Sequence, residues 1–136
     1  MWSSLDAPAS HDALSGPNDS YDGPMLEMGK TAFLTQVAGY LPSDCRLIDL
    51  LNHFYACQHD DGFIPREVAL FSNHAVSEPY EPNSTGPALL AWAEWRYYRL
   101  TGDDSRIENV FWPLMAFHRW VRANRTWQNG LYWTTG

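Results

Sequence analysis

The segment QHDDGFIPRE, at positions 58–67, concentrates side chains that bind polar ligands or transfer protons. Ionised carboxylates accept hydrogen bonds from hydroxyl groups and a guanidinium donates them, so this segment has the chemistry needed to hold a polyol. Glu67 is expected either to orient Arg66 or to accept a hydrogen bond itself. Large apolar groups in the same segment favour burial, which predicts a half-enclosed cleft. The candidate substrate-binding residues are Gln58, His59, Asp60, Asp61, Phe63, Arg66 and Glu67. The alternative is a rigid connector in which an Arg66–Glu67 pair ties helices together.

Two further groups are candidates for ligand contact. In NSTGP, at positions 83–87, Asn83 is the candidate substrate-binding residue, with Ser84 beside it, while Thr85 and Pro87 are predicted to cap a helix. Tyr132 and Trp133 combine flat apolar faces with polar groups, and this suits stacking against a sugar ring. Packing of a strand end is the alternative for these two aromatic residues.

No metal or cofactor is predicted. His59 has no second ligand at metal-binding spacing, so it is expected to be a hydrogen-bonding loop histidine. Cys45 and Cys57 fall in one predicted helix, about 18 Å apart at 1.5 Å per residue, and therefore cannot pair there. Both are expected to be packed free thiols.

The first half of the chain is predicted to form two helices after a polar lead-in. Residues 1–24 are rich in Ser, Pro, Gly and Asp and are expected to form an extended segment or loop. Apolar residues at helical spacing predict a helix over 25–40 with a weak first turn. A second helix is predicted from a capping signal at 42–44 to just before the loop that starts at position 58. The long connector that follows, 66–85, is expected to be functional because loops of this length without a pattern are uncommon.

The second half is predicted to form a helical pair and a turn. A third helix covers 88–100 and ends at Gly102, and a fourth begins at Asp103 and is divided in two by Pro113. Asn129-Gly130 predicts a tight turn, followed by a short strand. Four tryptophans inside helical stripes are expected in the core: Trp92, Trp95, Trp112 and Trp120. Helix pairs with unequal loops describe an all-α fold, either an α-toroid or a helical repeat, and the periodicity does not distinguish these.

Composition narrows the function classes. The chain has 136 residues, 45% of them apolar and 18% charged, which is typical of one globular domain. The net charge of −7 and nine scattered basic residues argue against nucleic-acid binding. No apolar run approaches the roughly 20 residues of a membrane span, and no signal peptide is recognisable, so a soluble protein without a membrane partner is expected. The compartment is left open. The aromatic content of 15% suits both a helical core and a sugar platform.

Three blocks in order resemble one family of enzymes. Residues 58–67, then NSTGPALLAWAEWRYYRLTGD at 83–103, then FWPLMAFHRWVRANRTWQNGLYWTTG at 111–136, together resemble the (α/α)6-barrel domain of mannosylglycerate-hydrolase-like and family 63 glycoside hydrolases. The resemblance covers 25–136. It implies a partial toroid of about two helical hairpins out of six, with long loops at one end, whose partners are a carbohydrate substrate and the remainder of its own barrel.

The resemblance also implies an inverting glycosidase that acts on α-linked glucosides or mannosides. Such enzymes use two carboxyl groups roughly 6.5–9.5 Å apart, one as acid and one as base. In the family, the block that matches 129–136 continues into a glycine-rich Met-Asp-Asn segment that contains the general acid, so no catalytic residue is assigned in this chain. The family's Trp-Asp-Thr matches Gly29-Lys30-Thr31 here, and the lysine would remove an acceptor of sugar hydroxyls. A degenerate enzyme and a non-catalytic helical module that binds protein or carbohydrate are the alternatives.

Overall fold

The computed structural model describes residues 23–42, 45–72 and 84–133. The first described elements are a strand, β1 (Met25–Glu27), a helix, α1 (Met28–Leu34), and a 3₁₀ helix (Thr35–Tyr40). A second 3₁₀ helix (Leu47–Leu51) runs into α2 (Asn52–Ala56), and β2 (Glu67–Ala69) follows. Two long helices, α3 (Leu90–Thr101) and α4 (Asp104–Asn124), complete the described elements. Helices dominate these residues, as the predicted all-α class requires.

The predicted helix over 25–40 is wrong at its start, and its second half, Thr35–Tyr40, is a 3₁₀ helix. Met25–Glu27 pairs antiparallel with Glu67–Ala69, so the expected weak first turn is a strand. The Glu27 carboxylate then caps α1 by accepting a hydrogen bond from Gly29 N at 3.1 Å. Strand pairing satisfies the backbone groups of this segment with a partner 42 residues away in register, which a local periodicity cannot reveal.

The second predicted helix is shorter than expected. Regular structure begins at Leu47 and ends at Ala56, so Cys45 precedes it and Cys57 follows it. Both thiols are free. Cys57 is buried, but Cys45 is exposed, so the prediction of a packed thiol is wrong for Cys45. Ser43 and Asp44, part of the capping signal, lie outside the described residues.

The third and fourth helices differ from prediction at their internal signals. The cap predicted at Thr85 is wrong, because α3 begins at Leu90 after Leu89, which makes no side-chain cap. Gly102 ends α3 as predicted, in the left-handed conformation with φ 69°. Pro113 does not divide the last helix, which is continuous over Asp104–Asn124.

Of the four tryptophans predicted in the core, two are there. Trp120 is buried and Trp92 packs half-buried against the core cluster. Trp95 and Trp112 are 55% and 67% exposed, so the prediction is wrong for them. Both helices present aromatic residues on more than one face, and hydrophobicity alone does not tell which face is covered.

The core lies between the short first elements and the two long helices. Its fully buried members come from α1, the second 3₁₀ helix, α2, the segment between α2 and β2, β2 and α3: Met28, Ala32, Ile48, Leu51, Phe54, Ile64, Val68 and Ala93. Phe117 of α4 joins this cluster. The core therefore holds α3 and α4 against the segment that precedes them in sequence.

A buried ion pair fastens α3 to α4. Arg106 donates to both carboxylate oxygens of Glu94, from Nε at 2.6 Å and from Nη2 at 2.7 Å. The Tyr55 hydroxyl donates to Glu94 at 2.9 Å, and Arg106 also donates to the Ile48 carbonyl at 3.1 Å and to Asp49 at 3.3 Å. Burial lowers the pKa of Arg106, but the hydrogen bond and charge of Glu94 outweigh it and raise that pKa. Burial, reinforced by Glu94, raises the pKa of Tyr55.

Candidate functional site

The loop at 58–63 is docked on the middle of α4. Gln58 Nε2 donates to the Pro113 carbonyl at 2.9 Å and to the Gly62 carbonyl at 3.0 Å. The Asp61 carboxylate accepts hydrogen bonds from the Phe63 amide at 3.0 Å and from the Trp120 indole Nε1 at 2.9 Å. Both Gln58 and Asp61 thus use their hydrogen-bonding groups within the protein.

Apolar packing reinforces this docking. Phe63 is fully buried, with its ring centroid 4.7 Å from that of Trp120, and His59 meets it edge-on at 5.2 Å. Gly62 has φ 100°, and a Cβ at this position would lie 2.4 Å from the Ala116 carbonyl oxygen. The loop backbone therefore approaches α4 as closely as a glycine permits.

Arg66 and Glu67 follow the loop and point to a different region. Arg66 is half-buried, and its Cγ lies 3.3 Å from where a Cβ of Gly86 would be. Arg66 Nε is a buried atom without a hydrogen-bond partner in the described part of the chain. Glu67 lies opposite Glu27 on the two-stranded sheet. The ion pairs found among the described residues do not include the Arg66–Glu67 pair of the connector alternative.

Glu67 borders a shallow pocket of about 320 Å³. Glu27 and Lys30 share its wall, and their charged groups are 3.8 Å apart. Lys30 is the residue that the resemblance matches with an aspartate of the family, and its side chain is 88% exposed. This pair is a surface interaction that contributes little to stability.

The main candidate site is a pocket of about 330 Å³ between α4, the start of α3 and the last described residues. Its floor is apolar and formed by Leu90, Leu114, Phe117 and Val121. Residues 85–88 also line the pocket, and Tyr132 and Trp133, with His118, give it an aromatic wall. The His118 and Tyr132 ring centroids are 6.3 Å apart. The pocket has an aromatic wall, an apolar floor and few polar groups, as small-molecule sites commonly do.

The last described turn presents the aromatic wall. The predicted turn at Asn129-Gly130 is confirmed: Gly130 has φ 84°, and its amide donates to the Trp127 carbonyl at 2.9 Å. Within the described part of the strand predicted after it, residues 131–133, the structure has an isolated bridge between Thr126 and Tyr132, and the rest of that prediction lies outside the described residues.

Arg125 lies behind the wall. Its guanidinium carbon is 4.8 Å from the Trp120 ring centroid and 4.9 Å from that of Trp133. Its Nε donates to the Thr85 hydroxyl at 2.9 Å. Arg125 is 7% exposed, and burial lowers its pKa from the ordinary arginine value. A guanidinium stays charged under these conditions, so a buried positive charge adjoins the pocket.

The structure brings together only part of the predicted site. Tyr132 and Trp133 line the pocket, while Gln58, Asp61 and Phe63 pack against α4 away from its lining. Of the remaining predicted residues, His59 is half-buried at the loop and Asp60 is exposed. Arg66 lies against Gly86, and Glu67 lines the second pocket. Asn83 lies outside the described residues. A sugar contact by any of these residues stays a prediction.

Three residues of the pocket region were not singled out from the sequence: Thr85 as a side-chain acceptor, His118 and Arg125. His118 could have been found, because Leu114, Phe117, His118 and Val121 follow i, i+3, i+4 and i+7 on one helix face. Arg125 has no such signal, since its partners come from three separate segments.

The lining also limits what the pocket can do chemically. No aspartate or glutamate borders it among the described residues. The described lining therefore supplies neither of the two carboxyl groups that general acid and base catalysis requires. The described residues also contain no group of three or more His, Cys, Asp or Glu side chains arranged to hold a metal ion. Among the same residues, no helix has the length and hydrophobicity of a membrane span.

Comparison with known proteins gives the class of the domain. The model of the mannosylglycerate hydrolase MGH1-like glycoside hydrolase domain matches residues 38–136. This is a glycoside hydrolase-like domain, and the chain belongs to the MGH1-like family. A relative from Borreliella burgdorferi, described as an uncharacterized protein, is 30% identical over 83 residues. That match covers 60% of this chain and 17% of the relative. No solved structure matches the chain significantly.

Proposed function

We propose that the chain forms one wall of the sugar cleft of an inverting glycoside hydrolase that acts on α-linked glucosides or mannosides. Membership of the MGH1-like family supports the glycosidase class. The mostly helical described fold is compatible with a toroid of helical hairpins, of which α3 and α4 would form one. The chain spans 17% of the length of its Borreliella relative, so the activity of a whole enzyme is part of the proposal.

The observation that carries the proposal is the aromatic wall of the pocket. Tyr132 and Trp133 lie side by side in the lining, next to His118. An indole or phenol ring packs against the C–H face of a sugar, while the histidine and the Tyr132 hydroxyl can exchange hydrogen bonds with its hydroxyl groups. The volume of about 330 Å³ lies at the small end of the roughly 300–1,000 Å³ typical of ligand pockets.

The role assigned to these residues is binding and not bond cleavage. Inversion requires a general acid and a general base on opposite faces of the sugar, roughly 6.5–9.5 Å apart. Since the described lining contains no carboxylate, both groups would be supplied from outside it. The pocket would orient the sugar so that these groups reach the glycosidic bond.

The test is a sugar titration of the isotope-labelled chain followed by nuclear magnetic resonance. Methyl α-glucopyranoside, methyl α-mannopyranoside and maltose would be added in turn. We expect a saturable shift of the Trp133 indole resonance with at least one of them. Trp133→Ala should weaken binding about tenfold, the contribution of one stacked aromatic ring. Trp95→Ala is the matched control, because Trp95 is exposed and absent from the lining.

A helical interaction module is the second candidate. It is favoured by the exposure of Trp95 and Trp112, aromatic rings of the kind enriched in protein interfaces. The same titration separates the two functions. Silence at Trp133 across the whole sugar panel would remove the sugar-cleft proposal and favour the interaction module.

A further inference from the structure

We propose that Arg125 is a positioning residue, which fixes the orientation of two side chains of the pocket lining, those of Trp133 and Thr85. The inference deepens the proposed function, on which its sugar-binding part rests. Its structural part, the placement of Trp133 by Arg125, can be tested without any ligand.

Arg125 holds Trp133 through both side chain and backbone. The guanidinium lies over the Trp133 ring at 4.9 Å, and the Arg125 carbonyl accepts a hydrogen bond from the Trp133 amide at 2.9 Å. The Arg125 amide in turn donates to the Val121 carbonyl at 2.8 Å, which ends α4. One residue thus joins the helix end to the turn that returns Trp133 to the pocket.

The Thr85 contact extends this control to a second residue of the pocket lining. Thr85 is 4% exposed and belongs to the lining, and its hydroxyl accepts the Arg125 Nε hydrogen bond at 2.9 Å. Because the guanidinium is planar, a bond at Nε fixes the plane that faces Trp133. A lysine has no such plane, so it retains the charge but loses the alignment.

The loop at 58–63 supports this arrangement through Trp120. Arg125 also lies over the Trp120 ring at 4.8 Å, and the Trp120 indole donates to the Asp61 carboxylate at 2.9 Å. Phe63 packs against the same ring at 4.7 Å. Asp61 and Phe63 therefore support the pocket indirectly, through Trp120 and Arg125.

The experiment labels the tryptophans with 5-fluorotryptophan and measures how far each fluorine resonance shifts between H₂O and D₂O, which reports exposure of each ring. In Arg125→Lys we expect the half-buried Trp133 to approach the exposure of Trp112, 67% in this structure. The Trp95 and Trp112 resonances should stay unchanged. Arg122→Lys is the matched control, since Arg122 is an exposed residue in the last turn of the same helix. An unchanged Trp133 in Arg125→Lys would overturn the proposal.

A second variant covers the case in which Arg125→Lys does not fold. Thr85→Val keeps the side-chain shape and removes the hydroxyl that accepts from Arg125. Thr85→Val should increase the exposure of Trp133 by less than Arg125→Lys does. If Trp133 in Thr85→Val is no more exposed than in wild type, the proposal is also overturned.

The sugar titration then tests the functional part. Arg125→Lys should weaken binding of the sugar that shifts Trp133 roughly tenfold, and Arg122→Lys should not. Equal sugar affinity in wild type and Arg125→Lys would refute a positioning role in binding, even if Trp133 moves. If no sugar binds the wild type, the proposed function fails, whereas the fluorine measurement still decides whether Arg125 places Trp133.

Discussion

Replacing Gly62 by alanine should be among the most damaging single changes in the described chain. Gly62 has φ 100°, in the left-handed region where a Cβ is strained. The new Cβ would also lie 2.4 Å from the Ala116 carbonyl oxygen and 2.8 Å from its carbonyl carbon. Both neighbours belong to the backbone of α4, so no side-chain rotation can relieve the overlap.

The expected destabilisation follows from these two effects. Left-handed backbone costs about 1–2 kcal/mol for a residue with a Cβ. Relieving an overlap inside a packed region costs about 1–3 kcal/mol more, because helix or loop must move. We therefore expect Gly62→Ala to lower the free energy of unfolding by about 2–5 kcal/mol.

Urea denaturation followed by tryptophan fluorescence measures this change. Gly102→Ala is the matched control, because Gly102 also has positive φ, at 69°, but nothing lies within 4 Å of its Cβ position. The control should lose only the backbone part, about 1–2 kcal/mol. Equal losses in the two variants would refute the close approach of the 58–63 loop to α4.

The remaining predictions concern ionised groups. Glu94→Ala should destabilise the fold by about 3–5 kcal/mol, because it leaves Arg106 charged and buried. Arg46→Ala breaks an exposed ion pair instead and should cost under about 1 kcal/mol. Similar urea midpoints for the two variants would contradict this. Asp103 caps α4, and hydrogen bonds from the Ser105 hydroxyl and the Arg106 amide lower its pKa from the ordinary aspartate value. The stability that the Asp103 carboxylate contributes is complete above its pKa in the unfolded chain, and it disappears as the pH falls through its pKa in the folded chain. The Asp103→Asn variant should therefore lose less stability than wild type as the pH falls below about 4. Thermal melts measure this loss, and the same pH dependence in both proteins would contradict the prediction.

The helices that the sequence predicts best are those with strong local signals. Gly102 between α3 and α4 has the residue type that a helix end requires, and its position is as predicted. Pro113 is an equally strong local signal, yet α4 continues through it. The Pro113 carbonyl accepts from Gln58, and the loop packs on the next turn, so tertiary contacts hold the helix where its local signal predicts a break.

The candidate site was predictable only where side chains keep to one short segment. Tyr132 and Trp133 follow a turn that Asn129-Gly130 specifies, and the structure places both on the pocket. Glu94 and Arg106 lie in different helices, and nothing in either helix pattern marks them as a buried pair. Arg125 depends on contacts with residues 40 positions earlier and eight positions later, so no local spacing could reveal it.

The polar residues of the 58–63 loop show that composition alone does not distinguish a ligand contact from a contact within the protein. A carboxylate beside a cleft can bind a sugar hydroxyl or an indole N–H with the same chemistry. Asp61 accepts a hydrogen bond from the Trp120 indole, and the ring held in this way lies against the Arg125 guanidinium. A loop rich in charged groups therefore shapes a neighbouring pocket through the aromatic and guanidinium groups it holds, and its own carboxylates need not face the ligand.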